Sequence, residues 1–139
     1  MINIFIVSHG ELSKGIRNSA EMITGENKRV ETFSLKPGES PDKIAEAIQE
    51  RINGREEEEF LILADILGGS VYNSCLRLAL NKNVRIISGM NLSLVIEIFL
   101  LLPDENIDEQ IELIIGRAKD GIKLMNSVKL LENEEEEEW

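Results

Sequence analysis

The segment Ile2-Asn3-Ile4-Phe5-Ile6-Val7-Ser8-His9-Gly10 decides the fold. Its apolar run is broken only by Asn3, so it lacks the polar alternation of a half-exposed strand and predicts one buried on both faces. Phe60-Leu61-Ile62-Leu63-Ala64 has the same character and is followed by Asp65-Ile66-Leu67-Gly68-Gly69-Ser70. Val30–Leu35 and Val84–Ile87 supply two further strands. Helical spacing fills the gaps. Leu12, Ile16, Ala20 and Ile23 form a stripe that Gly25 ends, and Ile44, Ala45, Ile48 and Ile52 form a second after Ser40 and Pro41. Val71–Leu80, a helix from Asn91 or Ser93 through Leu102, and Ile107–Met125 follow.

Strand–helix alternation with doubly buried strands implies an open, doubly wound α/β fold. Its mainly parallel sheet, with an expected order of 2-1-3-4, carries helices on both faces. Val128–Leu131 has no crossover helix after it and is expected to be a C-terminal edge strand, of the kind exchanged between subunits of a dimer.

The 139 residues fit one domain, placed at residues 1–131, with an acidic, disordered tail expected over 132–139. The net charge of −11 argues against a partner with a phosphate backbone, so no nucleic acid is expected. Six of the 26 acids are Glu132 and Glu134–Glu138; without them residues 1–131 carry −5. A single cysteine, Cys75, permits no internal disulfide and no multi-cysteine metal site. The first residues lack the basic start and cleavage pattern of a signal peptide, and no apolar run reaches the roughly 20 residues of a membrane span. The expected location is the cytoplasm.

His9 is the only histidine. In an open α/β sheet, ligands bind at the carboxyl ends of strands where the strand order reverses. A 2-1-3-4 order sets the loop after strand one beside the loop after strand three, and therefore His9 beside Asp65 and Gly68-Gly69-Ser70. A neutral imidazole nitrogen is a nucleophile suited to accepting a phosphoryl group. Asp65 can orient the ring by accepting its other N–H. Gly68 and Gly69 permit close backbone approach, the following helix start offers N–H groups, and Ser70 adds a hydroxyl. Such a site needs neither metal nor cofactor.

Other assignments fit less well. A phosphoaspartate receiver places an aspartate after strand three and a hydroxyl after strand four, here Asp65 and Ser88, but needs an acidic pair where Ser8-His9-Gly10 stands. A serine hydrolase built from Ser70, His9 and Asp65 lacks the Gly-x-Ser-x-Gly elbow. A P-loop lacks its lysine, and Gly10 lacks the partner glycines of a dinucleotide motif. A non-catalytic α/β binding or regulatory module stays open.

Four segments taken in order, Ile4–Gly10, Ala20–Gly25, Asp65–Asn73 and Ser88–Leu92, resemble the mannose-family enzyme IIA of the bacterial phosphoenolpyruvate:sugar phosphotransferase system. The resemblance covers residues 1–131. It implies a phosphotransferase in which His9 takes a phosphoryl group from the phosphocarrier HPr and passes it to enzyme IIB, which acts with membrane components in sugar uptake. It implies that Asp65 pairs with the histidine, that Ser70 lies near the phosphoryl oxygens, and that a homodimer exchanges a C-terminal strand, matched here to Val128–Leu131. Ile66 and Leu67 depart from the pattern, at positions where polar or aromatic residues are common. The phosphoryl-donor subunit of dihydroxyacetone kinase is a related alternative, disfavoured by the doubled Gly68-Gly69.

Overall fold

The structure is a computed structural model that describes residues 2–136. The elements run β1 (Asn3–His9), α1 (Leu12–Thr24), β2 (Val30–Leu35), α2 (Asp42–Ile52), β3 (Phe60–Ala64), α3 (Ser70–Cys75), a 3₁₀ turn (Leu76–Leu80), β4 (Val84–Ile87), α4 (Leu92–Leu100), α5 (Ile107–Asp120) and α6 (Ser127–Glu136). The sheet has the order β2-β1-β3-β4, and every pairing is parallel.

The continuous apolar runs reflect two cores rather than one. Side chains alternate across a strand, so Ile4, Ile6, Leu61 and Leu63 join α1, α4 and α5 on one face. Phe5, Val7, Phe60, Ile62 and Ala64 join α2 and α3 on the other. Phe5 and Phe60 stack across β1 and β3 with ring centroids 5.8 Å apart. Residues Phe60–Ala64 are wholly buried. At roughly 1.5–3 kcal/mol for each buried aliphatic or aromatic side chain, these two central strands carry a large share of the driving force.

Where the helices begin and end follows local chemistry. Asn91 caps α4, its Oδ1 accepting from the Leu94 N–H at 2.9 Å. That helix ends at Leu100 rather than Leu102, because Pro103 disfavours a helical conformation in the residue before it. The helix expected to reach Met125 stops at Asp120, before Gly121. The helix expected over Val71–Leu80 is α3 followed by the 3₁₀ turn. In α1 the buried residues are Ser13, Ile16 and Ala20, whereas Leu12 and Ile23 face solvent.

One expectation is overturned. Val128–Leu131 is not an edge strand; it lies inside α6. Asn126 starts that helix, its Oδ1 accepting from Lys129 N–H and its carbonyl from Leu130 N–H. Three apolar residues within four, Val128, Leu130 and Leu131, fit either period, and the glutamates after them are good helix formers. The helix runs on to Glu136, so the tail expected to be disordered from Glu132 is helical to that point. Glu137–Trp139 lie outside the described residues. Among the described residues no helix is long and apolar enough to cross a membrane.

Candidate functional site

The register sets the geometry of the site. Val7 of β1 lies opposite Ala64 of β3, so Ser8 and His9, the last residues of β1, lie beside Asp65, the first residue after β3. β1 pairs with β2 on one side and β3 on the other; the chain after β1 enters α1 on one face, and the chain after β3 enters α3 on the other. His9 therefore stands at the switch point, where an open α/β sheet forms a crevice.

One carboxylate oxygen holds the histidine twice. Asp65 Oδ2 accepts from the His9 backbone N–H at 2.8 Å and lies 2.7 Å from the ring Nδ1. Its other oxygen, Oδ1, accepts from the Ile66 N–H at 2.8 Å. The Asp65 side chain is only 5% exposed, whereas that of His9 is 47% exposed. Burial alone pushes the Asp65 carboxyl upward; donation from the His9 N–H, the imidazole and the Ile66 N–H outweighs it and holds the group below its usual 3.8. An ionised carboxylate only accepts, so Nδ1 must carry the proton that joins it to Asp65. In the neutral ring Nε2 then holds the lone pair, and Ser70 Oγ lies 3.2 Å from it.

The glycine loop brings the third group in, and its two glycines do different work. Gly68 has φ +78°, a left-handed conformation that L side chains resist. Gly69 has an ordinary φ of −69° and is needed for space. A Cβ there would sit 3.3 Å from the Ile66 carbonyl oxygen and 3.5 Å from Cε1 of His9. Asn73 fastens the loop from α3, with its side chain donating to the Gly68 carbonyl at 3.0 Å and its N–H to that of Gly69 at 2.9 Å. Two substitutions should separate these roles. Gly68→Ala is expected to cost about 1–2 kcal/mol of stability in a denaturant titration. Gly69→Ala should press its methyl on the Ile66 carbonyl oxygen, with a smaller loss in the same titration, and shift the loop beside His9 enough to slow its chemistry about tenfold.

The residues selected from sequence, His9, Asp65, Gly68, Gly69 and Ser70, thus come together in one place. Sequence reasoning missed Ser8, Ser13 and Asn73. Ser8 and Ser13 are fully buried polar residues, standing where the strand run and the helix stripe call for apolar side chains. That mismatch is the signal that could have found them. Cys75 is buried in the second core, where burial pushes its thiol up to about 11, unsuited to nucleophilic work. Ile66 and Leu67, beside the site in the loop, are 60% and 69% exposed.

Comparison with known proteins identifies the family and the fold. Residues 3–115 match the model of the family EIIA-man, described as PTS system fructose IIA component. The chain is 26% identical over 129 residues to the PTS system mannose-specific EIIAB component of Escherichia coli strain K12, an alignment covering 91% of this chain and 40% of that protein. The chain therefore spans well under half the length of that relative. It is 30% identical over 99 residues to the sorbose-specific EIIA component of Klebsiella pneumoniae, covering 70% of this chain and 73% of the other. The crystal structure of phosphotransferase system component EIIA from Streptococcus agalactiae superposes with a TM-score of 0.79 at 31% identity, covering 89% and 97% of the two chains. With all four strands of its sheet and the whole His9 site inside the matched residues, the chain belongs to the EIIA-man family of phosphotransferase-system IIA components.

Proposed function

We propose that the protein is a phosphoryl carrier of a mannose-, fructose- or sorbose-type sugar phosphotransferase system, with His9 as the residue that carries the group. The observation that supports this most is the double hold of Asp65 Oδ2 on His9, which in the neutral imidazole gives the lone pair to Nε2 on a half-exposed ring. The donor is a phosphohistidine of HPr and the acceptor is enzyme IIB; through IIB the group reaches sugar at the membrane components. The protein itself works in the cytoplasm. A homodimer belongs to the same reading, supported by the exposed Val128 and Leu131 on α6.

The step is a substitution at phosphorus. The Nε2 lone pair forms the new P–N bond as the bond to the donor nitrogen breaks, and the electron pair of that bond leaves with the donor. The Nδ1 proton stays in place. Asp65 stabilises the positive character that the ring gains, as the carboxylate of a catalytic triad does. Phosphoryl transfer asks for positioning and for donors to the three equatorial oxygens. Ser70 hydroxyl, beside Nε2, can turn from the nitrogen to such an oxygen, and Gly68 and Gly69 leave room for the group. In the return step the acceptor attacks phosphorus and the electron pair goes back to Nε2. Exposed Ile66 and Leu67 suit docking of proteins rather than enclosure of a small substrate.

Incubation with phosphoenolpyruvate, enzyme I and HPr tests the reading. The expected product is a phosphoryl group that is labile in acid and stable in alkali; an unlabelled protein would refute it. Ser70, His9 and Asp65 also line up in the order of a hydrolase triad, a second reading that the 3.2 Å Ser70–His9 contact favours. Ser70→Ala separates the two. It should abolish ester hydrolysis if serine is the nucleophile, but only weaken phosphoryl transfer if serine is a donor.

A further inference from the structure

Behind His9 lies a chain of hydroxyls that links α1, β1 and β2. Ser8 Oγ accepts from the Ser13 N–H at 2.8 Å and donates to the Gly10 carbonyl at 3.1 Å. Ser13 Oγ in turn donates to the Phe33 carbonyl at 3.2 Å and lies 3.0 Å from Ser34 Oγ. The Gly10 N–H donates to the Leu35 carbonyl at 2.8 Å. Both Ser8 and Ser13 are completely buried.

These positions would be apolar if packing alone chose them. Ser8 continues the buried strand Asn3–Val7, and Ser13 precedes Ile16 and Ala20 on the inward stripe of α1. A buried hydroxyl costs free energy unless it is hydrogen-bonded, and these two find partners only because the turn takes one shape. Every bond in the chain bears on that turn. Ser8 grips the residue after His9 and the start of α1, while Ser13 ties α1 to the carboxyl end of β2. The backbone at His9 is thereby fixed from the side opposite Asp65.

Resting on the assignment of His9 as phosphoryl acceptor, we infer that Ser8 and Ser13 are positioning residues for phosphoryl transfer. Their hydroxyls set the turn so that one oxygen of Asp65 meets both the backbone N–H and the ring Nδ1 of His9. Without them the fold persists, but the imidazole swings and its tautomer is no longer enforced. A displacement of about 1 Å at a reacting group can cost on the order of 100-fold in rate. Loss of one tether among several should cost less, about tenfold.

The experiment uses the full chain carrying Ser8→Ala or Ser13→Ala, with Ser8→Thr as the conservative control. The rate of phosphoryl transfer from phospho-HPr is measured over donor concentration, and the Nδ1–H proton of His9 is followed by NMR. Expected are a kcat about tenfold lower for Ser8→Ala, a smaller loss of threefold or more for Ser13→Ala, and an unchanged KM. The Nδ1–H signal should broaden through faster exchange with water, and Ser8→Thr should restore both readouts. A merely structural role would lower the melting temperature and leave that signal sharp in the folded fraction. Should Ser8→Ala fail to fold, Ser13→Ala decides alone, since its backbone N–H can still reach Ser8. A kcat within threefold of wild type in the folded variants, a loss confined to KM, or an unaltered Nδ1–H signal overturns the inference. If wild type takes no phosphoryl group, the assignment of His9 fails instead; the NMR readout, which needs no partner, still judges the hydroxyls.

Discussion

Replacing His9 with glutamine is expected to reduce phosphoryl uptake from phospho-HPr to background, a larger effect than any other single change. The amide of glutamine is of similar size but has no basic lone pair on nitrogen, so no P–N bond can form. The fold should survive. The imidazole is half exposed, and the His9 backbone N–H keeps its bond to Asp65 whatever side chain stands there. The lost side-chain hydrogen bond is worth about 1–2 kcal/mol, a shift of several degrees in the melting temperature of a domain this size. Labelling of a folded His9→Gln chain at the wild-type level would place the phosphoryl group elsewhere and remove the mechanism.

The second large effect belongs to Asp65→Asn. An asparagine has one acceptor oxygen where the aspartate has two, and the native carboxylate uses both: Oδ2 for His9 and Oδ1 for the Ile66 N–H. Its NH2 can also donate to Nδ1, which moves the ring proton to Nε2 and blocks the nucleophile. By comparison with tautomer reversal in a catalytic triad, a fall in transfer rate of about 10²–10⁴-fold is expected, measured in single-turnover labelling. An unchanged rate would take Asp65 out of the mechanism. The same substitution has a signature in pH. Because the folded protein holds the Asp65 carboxyl below 3.8, this group adds stability above that pH, and the contribution fades as the pH falls through its lowered value. The gap in melting temperature between wild type and Asp65→Asn should therefore be widest near neutrality and narrow in acid.

Much of the site was legible because strand ends are legible. Two doubly buried runs, Ile2–Val7 and Phe60–Ala64, announce central parallel strands, and residues directly after them fall at the carboxyl edge whatever the details of packing. His9 and Asp65 are found that way. What stayed hidden depends on contacts far apart in sequence. Ser13 looks like an ordinary helix residue until Phe33 and Ser34 of β2 are brought beside it. Gly69 looks like flexibility in a turn, yet its backbone is ordinary and what it leaves is space against the Ile66 carbonyl oxygen, with His9 Cε1 just beyond. Leu12 and Ile23 fit a helical stripe by spacing but lie outside the arc that α4 and the sheet cover. Val128–Leu131 failed for another reason. A run of four residues is shorter than the window over which the two periodicities differ, and the deciding signal was the cap at Asn126.

The two residues at the heart of the site hang from the two interior strands of a four-stranded sheet, each flanked by a neighbour on both sides. Interior strands exchange their amide protons only on wholesale opening of the domain, whereas loops and lids open at far smaller free energies. The middles of β1 and β3, directly below His9 and Asp65, are thus expected to exchange most slowly, with the exposed Ile66 and Leu67 set on the loop above. A carrier that must meet a donor and an acceptor of different shapes gains from this division. Adaptation to each partner falls to surface side chains, while the distance between His9 and Asp65 is inherited unaltered from one encounter to the next.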